Sequence, residues 1–164
     1  MDGARESENK QMRKGGPNPG LLRPPIIFLS AILLGIALNR AWPIHFLPAN
    51  LGWLGPLVTL CAALLFLLSY REFRAAGTSV RGSERSTTIV RTGPYRFSRN
   101  PIYLSFILLL LGLSGWLNNL WLLVTLVPAV GIMAGVVIPR EERFLERNFH
   151  DQYAKYRAEV RRWL

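Results

Sequence analysis

The sequence predicts an all-α integral membrane protein with four transmembrane helices and a C-terminal amphipathic helix. Three observations carry this. Charged residues are nearly absent from four long stretches of the 164-residue chain and crowd into the segments between them. Residues 51–70 run without a charge, and at ~1.5 Å per residue they match a hydrocarbon core about 30 Å thick. Lys and Arg number five in the N-terminal tail, one between the first two stretches, seven in residues 71–100, none between the third and fourth, and seven after Ile138. With four spans every rich segment falls on one side, which places both termini and the 71–100 loop in the cytoplasm. The chain is compact with few accessory segments, and a bacterial plasma membrane is the expected location.

Residues 1–23 are polar and punctuated by Gly15, Gly16, Pro17, Pro19 and Gly20, a composition that cannot bury enough apolar surface to offset the entropy of ordering. They predict a disordered basic tail, and residues 24–164 a single membrane domain. Basic residues ahead of Ile26 also suit a secretory signal. The segment is long and acid-bearing, however, and lacks a small-x-small cleavage site, which favours a retained signal anchor. The first span covers about 26–42, with Arg40 snorkelling to the interface, and the second 51–70. The third and fourth, 101–117 and 120–138, are separated only by Asn118 and Asn119, a link that forces an antiparallel hairpin. Within the fourth, Gly131 and Gly135 form a GxxxG step suited to close helix approach, and Pro128 predicts a kink. In residues 140–164, Leu145, Phe149, Tyr153, Tyr156, Val160 and Trp163 recur at helical spacing opposite Arg147, Asp151, Lys155, Arg157, Arg161 and Arg162. A basic amphipathic helix of this kind lies on the membrane or covers something on its cytoplasmic face.

The net charge of +10 does not require a nucleic-acid partner, because orientation signals alone make such a chain basic. The one cysteine, Cys61, excludes an internal disulfide and a cysteine cluster. Neither His45 nor His150 has a metal-ligand neighbour at helical spacing, so no metal is expected.

Chemistry concentrates in the cytoplasmic loop and just beyond the fourth span. The loop segment from Thr87, Thr88, Ile89 and Val90 through Gly93, Pro94, Tyr95, Arg99, Asn100, Pro101 and Ile102 to Tyr103 holds more Arg, Tyr and turn residues than orientation needs. Part of it has a simpler structural account: Asn100 suits a helix N-cap, Pro101 a first helical position, and the arginines suit lipid headgroups. Against that account stand Glu141 and Glu142, adjacent acids following Arg140 at the expected C-terminal end of the fourth helix, where the macrodipole disfavours them. A hairpin with a two-residue turn makes Asn100 and Pro101 neighbours of Arg140, Glu141 and Glu142, so loop and acid pair form one site.

Gly93-Pro94-Tyr95, Arg99-Asn100-Pro101 with Tyr103, and the acid pair followed by Phe149, Tyr153, Tyr156 and Val160 together resemble the signature of the isoprenylcysteine carboxyl methyltransferase and phospholipid methyltransferase superfamily. The resemblance covers residues 76–164. It implies a membrane enzyme that uses S-adenosylmethionine, releases S-adenosylhomocysteine and methylates a lipid-like or lipidated acceptor. By matching positions, Thr87, Thr88, Ile89, Val90, Tyr95, Asn100, Pro101, Ile102 and Tyr103 line the cofactor, with contact from Glu141 or Glu142. Arg99 or Arg140 faces the acceptor, and Glu142 joins them in catalysis. Many members carry His at the position of Asn100 and Gly at those of Ser105 and His150; Asn still offers side-chain hydrogen bonds.

The residue chemistry agrees. Methyl transfer from a sulfonium is an in-line displacement from an activated donor, which asks the protein chiefly for alignment. Carboxylates can bind ribose hydroxyls or favour positive charge, and the faces of Tyr95 and Tyr103 can hold a cation. Two acceptors stay open: an isoprenylcysteine-like carboxylate, and a phospholipid amine that must lose a proton. A different class also stays open, a non-catalytic membrane protein binding anionic lipid or a partner through its basic loop and tail.

Overall fold

A computed structural model of the chain describes residues 23–76 and 89–164. The predicted disordered tail, apart from Arg23, lies outside the described residues, as do Thr87 and Thr88. Those described are helical with no strand: α1 Pro24–Ala41, α2 Leu54–Ala75, α3 Pro101–Trp116, α4 Leu120–Ile132 and α5 Ile138–Glu159, with a π turn over Met133–Val137 and short 3-10 turns at Ala49–Leu51 and Gly93–Arg96. Three helical segments are long and apolar enough to cross a membrane, namely Pro24–Ala41, Ala49–Ala75 and Leu120–Glu159. At 16 residues α3 is shorter, reaching about 24 Å.

Several boundaries differ from expectation for identifiable reasons. Helix α2 continues past Tyr70 to Ala75, because Arg71, Glu72 and Arg74 are good helix formers despite their charge. No break separates α4 from α5. The π turn widens the hydrogen-bond ladder just ahead of Pro139, where the missing N–H is then tolerated. The helix bends instead at His150, whose φ of 33° and ψ of −109° are non-helical, and it stops at Glu159.

Glycines set how the helices pack, though not those the sequence singled out. A Cβ on Gly55 would stand 2.1 Å from the Trp116 amide nitrogen, and one on Gly112 would stand 2.6 Å from that of Thr59. Helices α2 and α3 therefore cross nearly backbone to backbone, as small residues allow in lipid where no hydrophobic force presses helices together. Helix α1 packs on α4, and the shared core gathers Phe28, Ala31, Leu110, Leu126, Ala129 and Met133. Around Gly131 and Gly135 a Cβ would meet nothing within 4 Å, so this step mates with no other helix among the described residues.

The two ends of the bundle differ chemically. At the Asn118–Asn119 turn, Asn118 Oδ1 accepts from the amides of Phe46 and Leu47, both at 2.9 Å, and Asn119 Oδ1 accepts from the Trp121 amide at 2.9 Å. Trp42, Trp53 and Trp116 are exposed at this end, the arrangement of an interfacial aromatic belt. The opposite end collects the start of α1, the end of α2, the start of α3 and the acid pair around one cavity.

Candidate functional site

Tyr95 is placed first by Gly93. That residue has φ 57°, and a Cβ on it would meet Glu72 Cγ at 2.8 Å, so the turn closes on α2 only with glycine there. The Thr92 hydroxyl donates to Glu72 across the same junction. The turn buries Tyr95 against Phe73, ring centroids 5.4 Å apart, and the Tyr156 hydroxyl donates to the Tyr95 carbonyl at 2.8 Å. Burial is the main cause that pushes the Tyr95 phenol far above its ordinary value, with Tyr156, Glu141 and Glu72 adding to it. Burial also pushes Tyr156 up, to about 12. Both are neutral hydrogen-bonding groups at neutral pH.

The two acids take different partners. Glu142 Oε1 accepts from Arg99 Nη1 at 2.9 Å and from Arg162 Nε at 3.2 Å, while its Oε2 accepts from Arg162 Nη2 at 2.6 Å. Arg99 and Glu142 are each 12% exposed, a dryness that strengthens the pairing. Glu141 turns to the Tyr103 hydroxyl, 2.7 Å from both carboxylate oxygens. The expected conflict with a helix C-terminus does not arise, because the helix runs on past both acids. Arg99 Nε is buried without a hydrogen-bond partner, and an orphaned guanidinium donor is costly unless a ligand accepts from it.

These groups line a cavity of about 710 Å³, within the roughly 300–1,000 Å³ usual for small-molecule sites. Arg99, Asn100, Pro101, Ile102 and Tyr103 form one wall, and Glu141, Glu142 and Leu145 another. Phe66, Tyr70 and Phe73 of α2 and Pro24, Pro25 and Ile26 of α1 add to the lining. Asn100 precedes α3 without a side-chain cap; its Nδ2 donates instead to the Arg162 carbonyl at 3.1 Å. Ile89 packs on the cluster of Tyr153, Tyr156 and Val160, and Val90 is buried; neither is among the lining residues. Arg140 is exposed and does not line the cavity either. Among the described residues, no His, Cys, Asp or Glu cluster suits a metal ion.

Sequence reasoning missed two contributions. Phe66, Tyr70 and Phe73 are spaced four and three apart, a signal for one helix face that was hidden because the apolar span ends at Tyr70 and Phe73 falls in the expected loop. Arg162 was indistinguishable from the other basic residues around it.

The phospholipid methyltransferase family model matches residues 50–152, the stretch that supplies Tyr95, Arg99, Asn100, Glu141 and Glu142. An uncharacterised protein of Haemophilus influenzae is 38% identical over 63 residues, covering 38% of this chain and 100% of its own length. The nickel-cobalt-cadmium resistance protein NccN of Alcaligenes xylosoxydans xylosoxydans is 36% identical over 73 residues, 43% of this chain and 34% of its own. The cobalt-zinc-cadmium resistance protein CzcN of Cupriavidus metallidurans is 35% identical over 72 residues, 44% of this chain and 33% of its own. The chain thus spans about a third of the length of these two resistance proteins. No solved structure matches.

Proposed function

The chain belongs to the phospholipid methyltransferase family, and we propose that it is an S-adenosylmethionine-dependent methyltransferase acting on a lipophilic acceptor, with its site at the cytoplasmic end of four spans. The observation that carries this proposal is the meeting of Arg99, Tyr103, Glu141 and Glu142 on one cavity. When bound, the cofactor supplies an electrophilic methyl group. The lining suits it: the rings of Tyr95, Tyr103, Phe66 and Tyr70 offer faces to a cation, the acids offer acceptors to hydroxyl or ammonium groups, and the Arg99 guanidinium suits a carboxylate.

The chain's own residues then bind, orient and exclude water. Tyr95, Asn100 and the acids hold the polar ligand from the cytoplasmic side, and the pairing of Arg99 with Glu142 keeps the guanidinium fixed while an acceptor settles. The gap between the start of α1 and the end of α2, lined by Pro25, Ile26, Phe66 and Tyr70, is apolar enough to admit a lipid chain. Because the donor is already activated, alignment supplies most of the catalysis. The segments rich in Lys and Arg support a reading with both termini in the cytoplasm, of a bacterial inner membrane.

The test is transfer of a tritiated methyl group from S-adenosylmethionine to membrane lipids by the detergent-purified protein. Label in the lipid phase that alkali releases as methanol marks a carboxylate acceptor, and alkali-stable label an amine. Complete absence of transfer, together with liposome binding that falls when Arg91 and Arg96 are neutralised, would instead support a non-catalytic lipid-binding protein.

A further inference from the structure

Beyond Glu159 the chain leaves α5 as a non-helical strap, residues 160–164, which lies outside the stretch matched by the family model. The strap folds onto the loop that builds the site. The Arg99 amide donates to the Arg161 carbonyl at 3.0 Å, and Asn100 Nδ2 donates to the Arg162 carbonyl at 3.1 Å. Val160 is buried with Tyr153 and Tyr156, which fixes where the strap begins. From there the Arg162 guanidinium reaches both oxygens of Glu142, at 3.2 and 2.6 Å. Arg162 is not among the cavity-lining residues.

Resting on the methyltransferase reading, we propose that Arg162 is a positioning residue, acting through Glu142 to hold Arg99 at the cavity. A carboxylate has a soft terminal torsion, and a single contact at one oxygen leaves it free to turn. The two-pronged grip of Arg162 fixes both oxygens, because a planar fork matches carboxylate geometry. Glu142, so fixed, holds Arg99 by Nη1 alone. Arg99, which lines the cavity, is thereby held in one orientation, its Nε buried without a protein partner. The backbone contacts of the strap hold the other end of Arg99, so side chain and main chain are located by one segment.

The test is calorimetric binding of S-adenosylhomocysteine to the full-length protein in detergent, with thermal unfolding as a check on folding. R162Q is expected to weaken binding about tenfold, the scale of a lost charge-assisted hydrogen bond. In an E142Q background the same change should cost less than about twofold, because the charge pairing and one of the two accepting oxygens are already gone. K155Q, an exposed charge in the same region, should bind as wild type does. R162K keeps the charge without the fork and should lose about threefold; if R162Q does not fold, R162K carries the same comparison in both backgrounds. Equal losses in the two backgrounds, or no loss from R162Q, would overturn the proposal and leave the methyltransferase reading intact. Absence of binding by the wild type would overturn both.

Discussion

At the scale of single residues, the site depends on how two adjacent carboxylates are shared out. Tyr103→Phe removes the hydroxyl that Glu141 accepts from, and a lost hydrogen bond to a charged group predicts about 1.5–3 kcal/mol of destabilisation, read as a lower thermal midpoint in detergent. Tyr156 makes a different prediction. Burial raises its folded pKa to about 12, above the unfolded value near 10, so the stability it contributes is complete below pH 10 and fades as pH rises from 10 toward 12. Tyr156→Phe should remove part of that alkaline loss in unfolding measured across this range. The acid pair, Arg99 and Tyr103 were legible in the sequence because their types and the hairpin turn brought them together. Arg162 was not, since an arginine among arginines carries no signal until a backbone bend aims it. Arg140, which sequence alone could not separate from Arg99, stands exposed outside the cavity.

At the scale of helices, backbone proximity decides which glycines matter. Gly55→Ala and Gly112→Ala place a Cβ against backbone atoms that cannot rotate away, and overpacking of this kind predicts a loss of about 1–3 kcal/mol or more. Gly131→Ala and Gly135→Ala meet no neighbour within 4 Å and should leave stability unchanged or raise it by up to about 1 kcal/mol of helix propensity, read from the thermal midpoint. His150 is the converse case. Its φ of 33° lies in a region that favours glycine, so His150→Gly should stabilise the bend by about 1–2 kcal/mol. Helix existence was readable from hydropathy. The bend was not, because nothing in the amphipathic spacing around His150 announces a left-handed residue, and the continuous run from α4 through the π turn overrides the boundary that Pro139 suggests.

At the scale of the molecule, the bundle has an arginine-rich end carrying the cavity and a tryptophan-rich end carrying the Asn118–Asn119 turn. The four-span orientation proposed above predicts that Asn50→Cys and Lys155→Cys, each in a Cys61→Ser background, react with a membrane-impermeant maleimide from opposite sides of sealed vesicles. Labelling from one side would remove the proposed topology. Central to the proposed function is binding of a methyl donor by the acid pair at the arginine-rich end. Its most direct test is titration of the purified protein with S-adenosylhomocysteine beside the Glu142→Gln variant, whose fold is checked by thermal unfolding. Saturable binding to one site, weakened at least about tenfold by the substitution, is the result expected; no saturable binding, or equal binding by the two proteins, would contradict it.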